Sequence, residues 1–350
     1  MSPMAEKTRK VLTVPHPDTK IGPIHEYTEE QVAKIKALRE ASHMNCYADT
    51  LLLPTADPYY PWELRWLNKP DTIPRYSRAS KWNFADAQKR IKATLEWRRE
   101  FKPDLIPPEE VRIESETGKI ILNGFDRDGR PILYMRPGRE NTETSPRQLR
   151  HLVWCLERAK DLMPPGQEGL VIIVDYKSTT LRTNPSISVA RKVLHILQQH
   201  YVETLGRALV VNLPFILSFF YKGISPFLDP VTRDKMRFNP DLLELIPPEH
   251  LDADFGGDFH YEFEHRSYWE QIVEACGIAD DGTRVATNEN ATDGFPAVKV
   301  ERQASDTTFN LANPASVDND IQEKLAQVTV SETEVSPLEN DLQQVPIHVA

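Results

Sequence analysis

Tyr201–Lys235 reads Y-V-E-T-L-G-R-A-L-V-V-N-L-P-F-I-L-S-F-F-Y-K-G-I-S-P-F-L-D-P-V-T-R-D-K, and the reading of its middle decides the fold. Gly206 is placed to stop a helix, Ala208–Val211 has the apolar run of a buried strand, and Pro214 opens a second helix. That second helix has no polar face: Phe215, Ile216, Leu217, Phe219, Phe220 and Tyr221 surround it. A helix apolar all round is buried, faces lipid, or alternates between the two. It is too short to span a bilayer, so the stretch predicts a greasy, mobile lid, with Glu203 before it and Lys235 after it.

Working outward, the apolar run Gly169–Val174 (G-L-V-I-I-V) predicts a strand buried on both faces, and Lys119–Asn123 with Ile132–Met135 predicts a hairpin around the turn D-R-D-G-R. Ser145-Pro146 starts a helix lined by Leu149, Leu152, Val153, Leu156 and Ala159. Asn184-Pro185 is expected to cap another, carrying Ile187, Ala190, Leu194, Leu197 and Tyr201 and ending at Gly206. A last amphipathic helix is expected near Tyr268–Cys276. The order βαβαβα predicts an α/β fold, one sheet with helices packed on it. Upstream, Thr28 and Gln31 form a capping-box pattern, a short helix holds Trp62, Leu64, Trp66 and Leu67, and Asn83 caps a long helix with Phe84, Ala87, Ile91 and Leu95 on one face. Trp82, Trp97 and Phe101 are read as core.

The predicted organisation is a flexible arm over 1–26, a helical lobe over 27–105, a βα lobe over 106–280 and an acidic disordered tail over 281–350. The arm is read from Pro, Lys, Thr and His without hydrophobic period. In the 350-residue chain of net charge -10, residues 281–350 hold twelve Asp/Glu against four Lys/Arg, so most of the net charge lies in that tail. The remainder lacks the basic clusters of a nucleic-acid footprint. Cys46, Cys155 and Cys276 are scattered without metal-ligand spacing, as in a reducing compartment, and the first residues lack the apolar region of a signal peptide. Any membrane contact is therefore expected to be peripheral.

Several chemistries are missing from the sequence. No G-x-G-x-x-G, P-loop, H-E-x-x-H or G-x-S-x-G occurs. Asp175, at the end of a buried strand, stands where an α/β enzyme places a catalytic acid, but V-D-Y-K-S reads better as a turn capped by that aspartate. No cofactor, metal or catalytic residue is expected.

Taken together, R-Y-S-R-A-S-K-W, D-R-D-G-R-P-I-L-Y, the strand ending V-D-Y-K, Y-V-E-T-L-G-R, P-F-L-D-P-V-T and F-G-G-D resemble, in order from about Asp57 to Gly277, the CRAL-TRIO lipid-transfer family. The wording is most similar to its fungal phosphatidylinositol-transfer branch, the type associated with azole resistance. The resemblance implies a helical N-terminal lobe beside a βα lobe whose mixed sheet floors an apolar lipid pocket, closed by a gate helix bearing Phe215, Phe219, Phe220 and Phe227. It implies that Glu203 and Lys235 contact an inositol headgroup, with Thr232 beside the lipid phosphate, and that Gly206 and Gly257 are gate hinges. Both glycines also read as plain helix-end and turn residues. The family's arginine-rich string departs here: its last arginine is Ser80, and Pro74 and Ser77 break the apolar register, which puts a phosphate contact from that segment in doubt. Where relatives that carry phosphatidylcholine have small hydroxyl residues, this chain has Leu170 and Ile172.

The expected function is binding phosphatidylinositol and exchanging it with a less polar lipid, such as a sterol, through transient contact with membranes. The setting would be the cytoplasm, with peripheral association to endoplasmic reticulum, endosome, lipid droplet or plasma membrane. The rival readings are an adaptor that recruits partners through its acidic tail and a hydrolase-like enzyme using Asp175.

Overall fold

The computed structural model describes residues 6–43, 51–215 and 218–285, leaving aside the side chains of Ser218 and Phe220. Cys46 and the 286–350 part of the expected tail lie outside the described residues. A helical layer comes first: α1 (Glu29–His43), α2 (Tyr60–Asn68), α3 (Thr72–Ala79) and α4 (Phe84–Phe101). The capping box forms, with Thr28 and Gln31 exchanging backbone-to-side-chain bonds. Asn83 accepts from the Asp86 amide at 3.0 Å at the start of α4. Trp66, Leu67, Ile73, Tyr76, Ala87, Ile91 and Leu95 share one core, whereas Phe84 is exposed. Trp97 is half-buried and stacks on His200 at 4.4 Å, and Trp82 meets Tyr27 edge-on at 5.8 Å instead of entering the core.

Helix α3 carries the altered arginine string. Pro74 is its third residue, in the first turn, where a missing backbone N–H breaks no intrahelical bond.

The second layer is α5 (Pro108–Ser115), β1 (Ile120–Phe125), β2 (Pro131–Met135), α6 (Pro146–Asp161), β3 (Leu170–Asp175), α7 (Ile187–His200), β4 (Leu205–Val211), α8 (Ser218–Ile224), α9 (Pro230–Asp234), β5 (Met236–Phe238), α10 (Leu242–Leu245) and α11 (His265–Ala275). The sheet order is β1-β2-β3-β4-β5. The hairpin pair is antiparallel and the others parallel, so the sheet is mixed.

The crossovers β2–α6–β3 and β3–α7–β4 step in the same direction, and right-handed connections therefore put α6 and α7 on one face. Helix α8 stands over that face too: its Tyr221 ring meets Phe238 at 5.2 Å. Register places Leu122, Leu133, Ile172, Ala208 and Met236 in one row of this face and Ile120, Met135, Val174, Val210 and Phe238 in the next. Burial fails along the first row: Leu122, Leu133 and Ile172 are buried, Ala208 and Met236 only half-buried. In the second row Met135 and Val174 are half-buried and Phe238 is exposed. On the opposite face Ile121, Tyr134, Ile173 and Leu209 are all buried, with Phe255 stacked on Tyr134 at 5.2 Å. Helix α7 matches the open side, since Val189, Val193, Leu194 and Leu197 are half-buried where a helix on a filled core buries its apolar stripe.

Three other expectations change. The arm packs: Thr8 bridges Tyr261, Val11 is buried, Leu12 exchanges bonds with Asn123 and Gly124, and Gln167 donates to the Gly22 carbonyl at 2.7 Å. A strap held by backbone bonds needs no hydrophobic period, which is why composition hid it. The N-cap of α7 is Ser186, which accepts from the Val189 amide, not Asn184. At the other end, residues 281–285, assigned to the tail, belong to the core: Arg284 pairs with Asp161 at 2.6 Å and donates to the Cys276 carbonyl at 2.9 Å.

Candidate functional site

Helix α7 ends at His200, and a tight turn leads into β4. The Thr204 amide donates to the Tyr201 carbonyl at 3.0 Å, and Tyr201 is anchored by its phenol, which donates to Glu157 Oε1 at 2.7 Å. Within that turn Glu203 has φ +54, the left-handed region that costs a non-glycine residue free energy and is kept where the surroundings fix it. Glu203 Oε2 accepts from Arg78 Nε at 2.7 Å. Arg78, on α3, gives its other nitrogens to Glu168 and to the Tyr27 phenol. Burial works against the Arg78 charge, but the Glu203 and Glu168 carboxylates outweigh it and hold the guanidinium above its ordinary pKa. His25 Nε2 lies 3.9 Å from Glu168 Oε2. Burial, then Arg78, lowers the His25 pKa, so the strap presents a neutral ring there at pH 7.

Lys235 reaches the same place from the other side. Asp229 caps α9, accepting from the Thr232 amide at 2.9 Å and from its hydroxyl at 2.6 Å. The Thr232 proton is thus directed to Asp229, and its oxygen keeps acceptor capacity only. Lys235 follows α9, and its Nζ donates to the Leu205 carbonyl at 2.6 Å. Burial lowers the Lys235 pKa, opposed by Glu203 and Asp229. The two residues implied by the resemblance, separated in sequence by the whole of β4 and the lid, thus both lie at the start of β4: Glu203 in the turn that opens it and Lys235 on the Leu205 carbonyl.

Gly206 is not the end of a helix. It lies inside β4, and a Cβ there would sit 2.5 Å from Arg130 Cδ and 3.0 Å from the Leu170 carbonyl oxygen. Arg130 runs across it to Asp126 at 3.0 Å and to Asp128 at 2.5 Å. Arg207 binds the same two carboxylates, so the D-R-D-G-R turn clasps β4 beside Gly206. Gly257 is required by close approach, because a Cβ would fall 1.9 Å from the Leu251 carbonyl oxygen. Asp175 takes the turn role, accepting from the Lys177 amide at 2.9 Å and from Asn212 Nδ2 at 2.8 Å.

On the lid, Phe215 and Phe219 are 84% and 61% exposed, while Ile224 is buried; the Phe220 side chain lies outside the described residues. Phe227 is exposed under the Arg191 guanidinium at 4.2 Å. Leu170 and Ile172 are both buried, and Ile172 belongs to the face that opens toward β5. Sequence reasoning did not single out Arg78, Glu168, His25 or Tyr27. Arg78 lies in a quoted motif, but pairs that span 90 and 125 positions leave no spacing to read.

A mixed sheet covered on one face, incompletely covered on the other and crossed by a short aromatic helix is the architecture that the lipid-transfer resemblance implied. A family model for the CRAL/TRIO domain matches residues 115–257. The chain is 31% identical over 210 residues to the SEC14 cytosolic factor of Eremothecium gossypii, covering 53% of this chain and 68% of that protein. It is 38% identical over 229 residues to the phosphatidylinositol transfer protein PDR17 of Saccharomyces cerevisiae, covering 62% and 65%. It is also 48% identical over 236 residues to the CRAL-TRIO domain-containing protein C23B6.04c of Schizosaccharomyces pombe, covering 65% and 23%. The chain belongs to the CRAL-TRIO family, with relatives in its fungal phosphatidylinositol-transfer branch. It spans under a quarter of the Schizosaccharomyces relative and just under two thirds of PDR17.

Proposed function

We propose that this protein binds phosphatidylinositol and transfers it between membranes, exchanging it with a less polar lipid such as a sterol. The convergence of Glu203 and Lys235 on the start of β4 carries the reading. An ammonium pairs with a phosphate as a point charge, and a carboxylate accepts bonds from ring hydroxyls that would otherwise be buried without partners. The half-buried residues of α7, Ala208, Met236 and Val174 offer apolar surface that acyl chains would complete. Such a chamber matters because exposing two acyl chains at ~0.8 kcal/mol per methylene costs on the order of 25 kcal/mol. Two features support the less polar second ligand: Leu170 and Ile172 offer no side-chain hydrogen bond, and both are buried. Among the described residues no helix is long and apolar enough to cross a membrane, and peripheral exchange from the cytoplasm needs none.

Native mass spectrometry of protein purified from cells tests the proposal. Stoichiometric phosphatidylinositol, displaced by the second lipid in exchange assays, is the expected result. An empty protein would point instead to the scaffold or adaptor reading.

A further inference from the structure

The exposed apolar side chains around the lid do not stand alone. Leu181 is 69% exposed next to exposed Arg182. Ile187, also exposed, lies one turn before exposed Arg191 on α7 and contacts α8, where a Cβ on Gly223 would meet Ile187 Cδ1 at 2.9 Å. Phe219 carries Lys222 Nζ 5.2 Å from its ring centre, and Phe215 meets Phe219 edge-on at 6.2 Å. Phe219 thus has a cation over its ring, as Phe227 has in Arg191, and Leu181 and Ile187 each have a basic residue one position or one turn further along the chain.

The charge pattern is equally one-sided. Lys177–His200 contains Lys177, Arg182, Arg191 and Lys192 and no carboxylate; Asn212–Leu228 contains Lys222 and no carboxylate. Yet the whole chain has a net charge of -10. A surface evolved only for solubility mixes both signs, and one built for a neutral apolar partner gains nothing from five cations. Aromatic anchors ringed by basic residues match the interface of a bilayer with negative headgroups, where rings enter the acyl boundary and cations stay at the phosphate level.

We propose that the face formed by residues 181–191, Phe215 and α8 is a docking surface for anionic membranes, so that lipid exchange is directed to bilayers rich in negatively charged lipid. This rests on the transfer reading above and adds which membrane is visited. Attraction falls off within a Debye length, so the cations next to the inserted rings carry the preference.

The test is co-sedimentation of the full chain with phosphatidylcholine vesicles and with vesicles that also contain about 30 mol% phosphatidylserine. Each basic residue near an anionic surface is worth roughly fivefold in partitioning. Binding to the anionic vesicles should therefore be tenfold or more stronger, and should weaken between roughly 0.05 and 0.5 M salt. The triple substitution Arg182→Gln, Arg191→Gln, Lys222→Gln should remove most of the preference, with an unchanged melting temperature and unchanged phosphatidylinositol loading. Phe215→Ser with Phe219→Ser should weaken binding to both vesicles. Equal wild-type binding to the two vesicle types, salt-independent binding, or no vesicle binding by lipid-loaded protein would overturn the proposal and leave the headgroup reading intact. Anionic preference in a protein that never loads phosphatidylinositol would overturn that reading and leave this one.

Discussion

Arg78 and Glu203, 125 positions apart in sequence, are joined at 2.7 Å between Nε and Oε2. The bond ties helix α3 to the turn that opens β4 and holds one carboxylate oxygen in place while the other stays available. Glu168 and Tyr27 share the same guanidinium, so the arginine that the altered motif keeps acts as a keystone for the site.

Arg78→Met should therefore destabilise the protein, leaving two partly buried carboxylates without their common partner. Breaking a fully buried pair costs about 3–5 kcal/mol; the partial exposure of Glu168 and Glu203 lowers the expectation to about 2 kcal/mol. Urea unfolding would measure it. A change under about 0.5 kcal/mol would mean that solvent already satisfies these carboxylates.

Much of this was legible in the sequence, for physical reasons. Buried parallel strands must be apolar runs, so β3 announced itself, as did the β1–β2 hairpin through its turn and α4 through Asn83. Gly206 misled because a glycine that stops a helix and one that lets Arg130 cross a strand look alike in one dimension. The strap over residues 6–27 and the partners of Arg78 are long-range, and local pattern carries no trace of them.

The tail expected from composition should be dispensable, provided that the chain keeps residues up to Val285 and with them the Arg284–Asp161 pair. A chain ending there should keep its melting temperature and transfer lipid within about twofold of the full chain. Ending after Asp280 removes Arg284 from Asp161 and should cost about 2 kcal/mol. Burial favours neutral Asp161, but Arg284 and then Arg158 hold its pKa below the ordinary value. The contribution is thus present above the unfolded value of 3.8 and is lost as pH falls through the lower folded value. Equal stability of the two truncated chains at pH 7 would contradict the boundary.

Ligand choice should follow Leu170 and Ile172. Replacing them with Ser and Thr is expected to admit phosphatidylcholine, because the hydroxyls supply bonds its headgroup lacks in the native protein. The double variant should also lose stability, since two large buried side chains shrink. A folded variant that still excludes phosphatidylcholine would place selectivity elsewhere.

The most direct test of the central claim measures phosphatidylinositol and sterol transfer side by side in Glu203→Ala, Lys235→Ala and the double variant. Losing a charged hydrogen bond costs about 1.5–3 kcal/mol, so each single change should weaken phosphatidylinositol binding roughly ten- to hundredfold. Sterol transfer should stay within about twofold, because a sterol has no phosphate for Lys235 and no inositol ring for Glu203. Parallel loss of both activities, or undiminished phosphatidylinositol transfer by a folded double variant, would contradict the account.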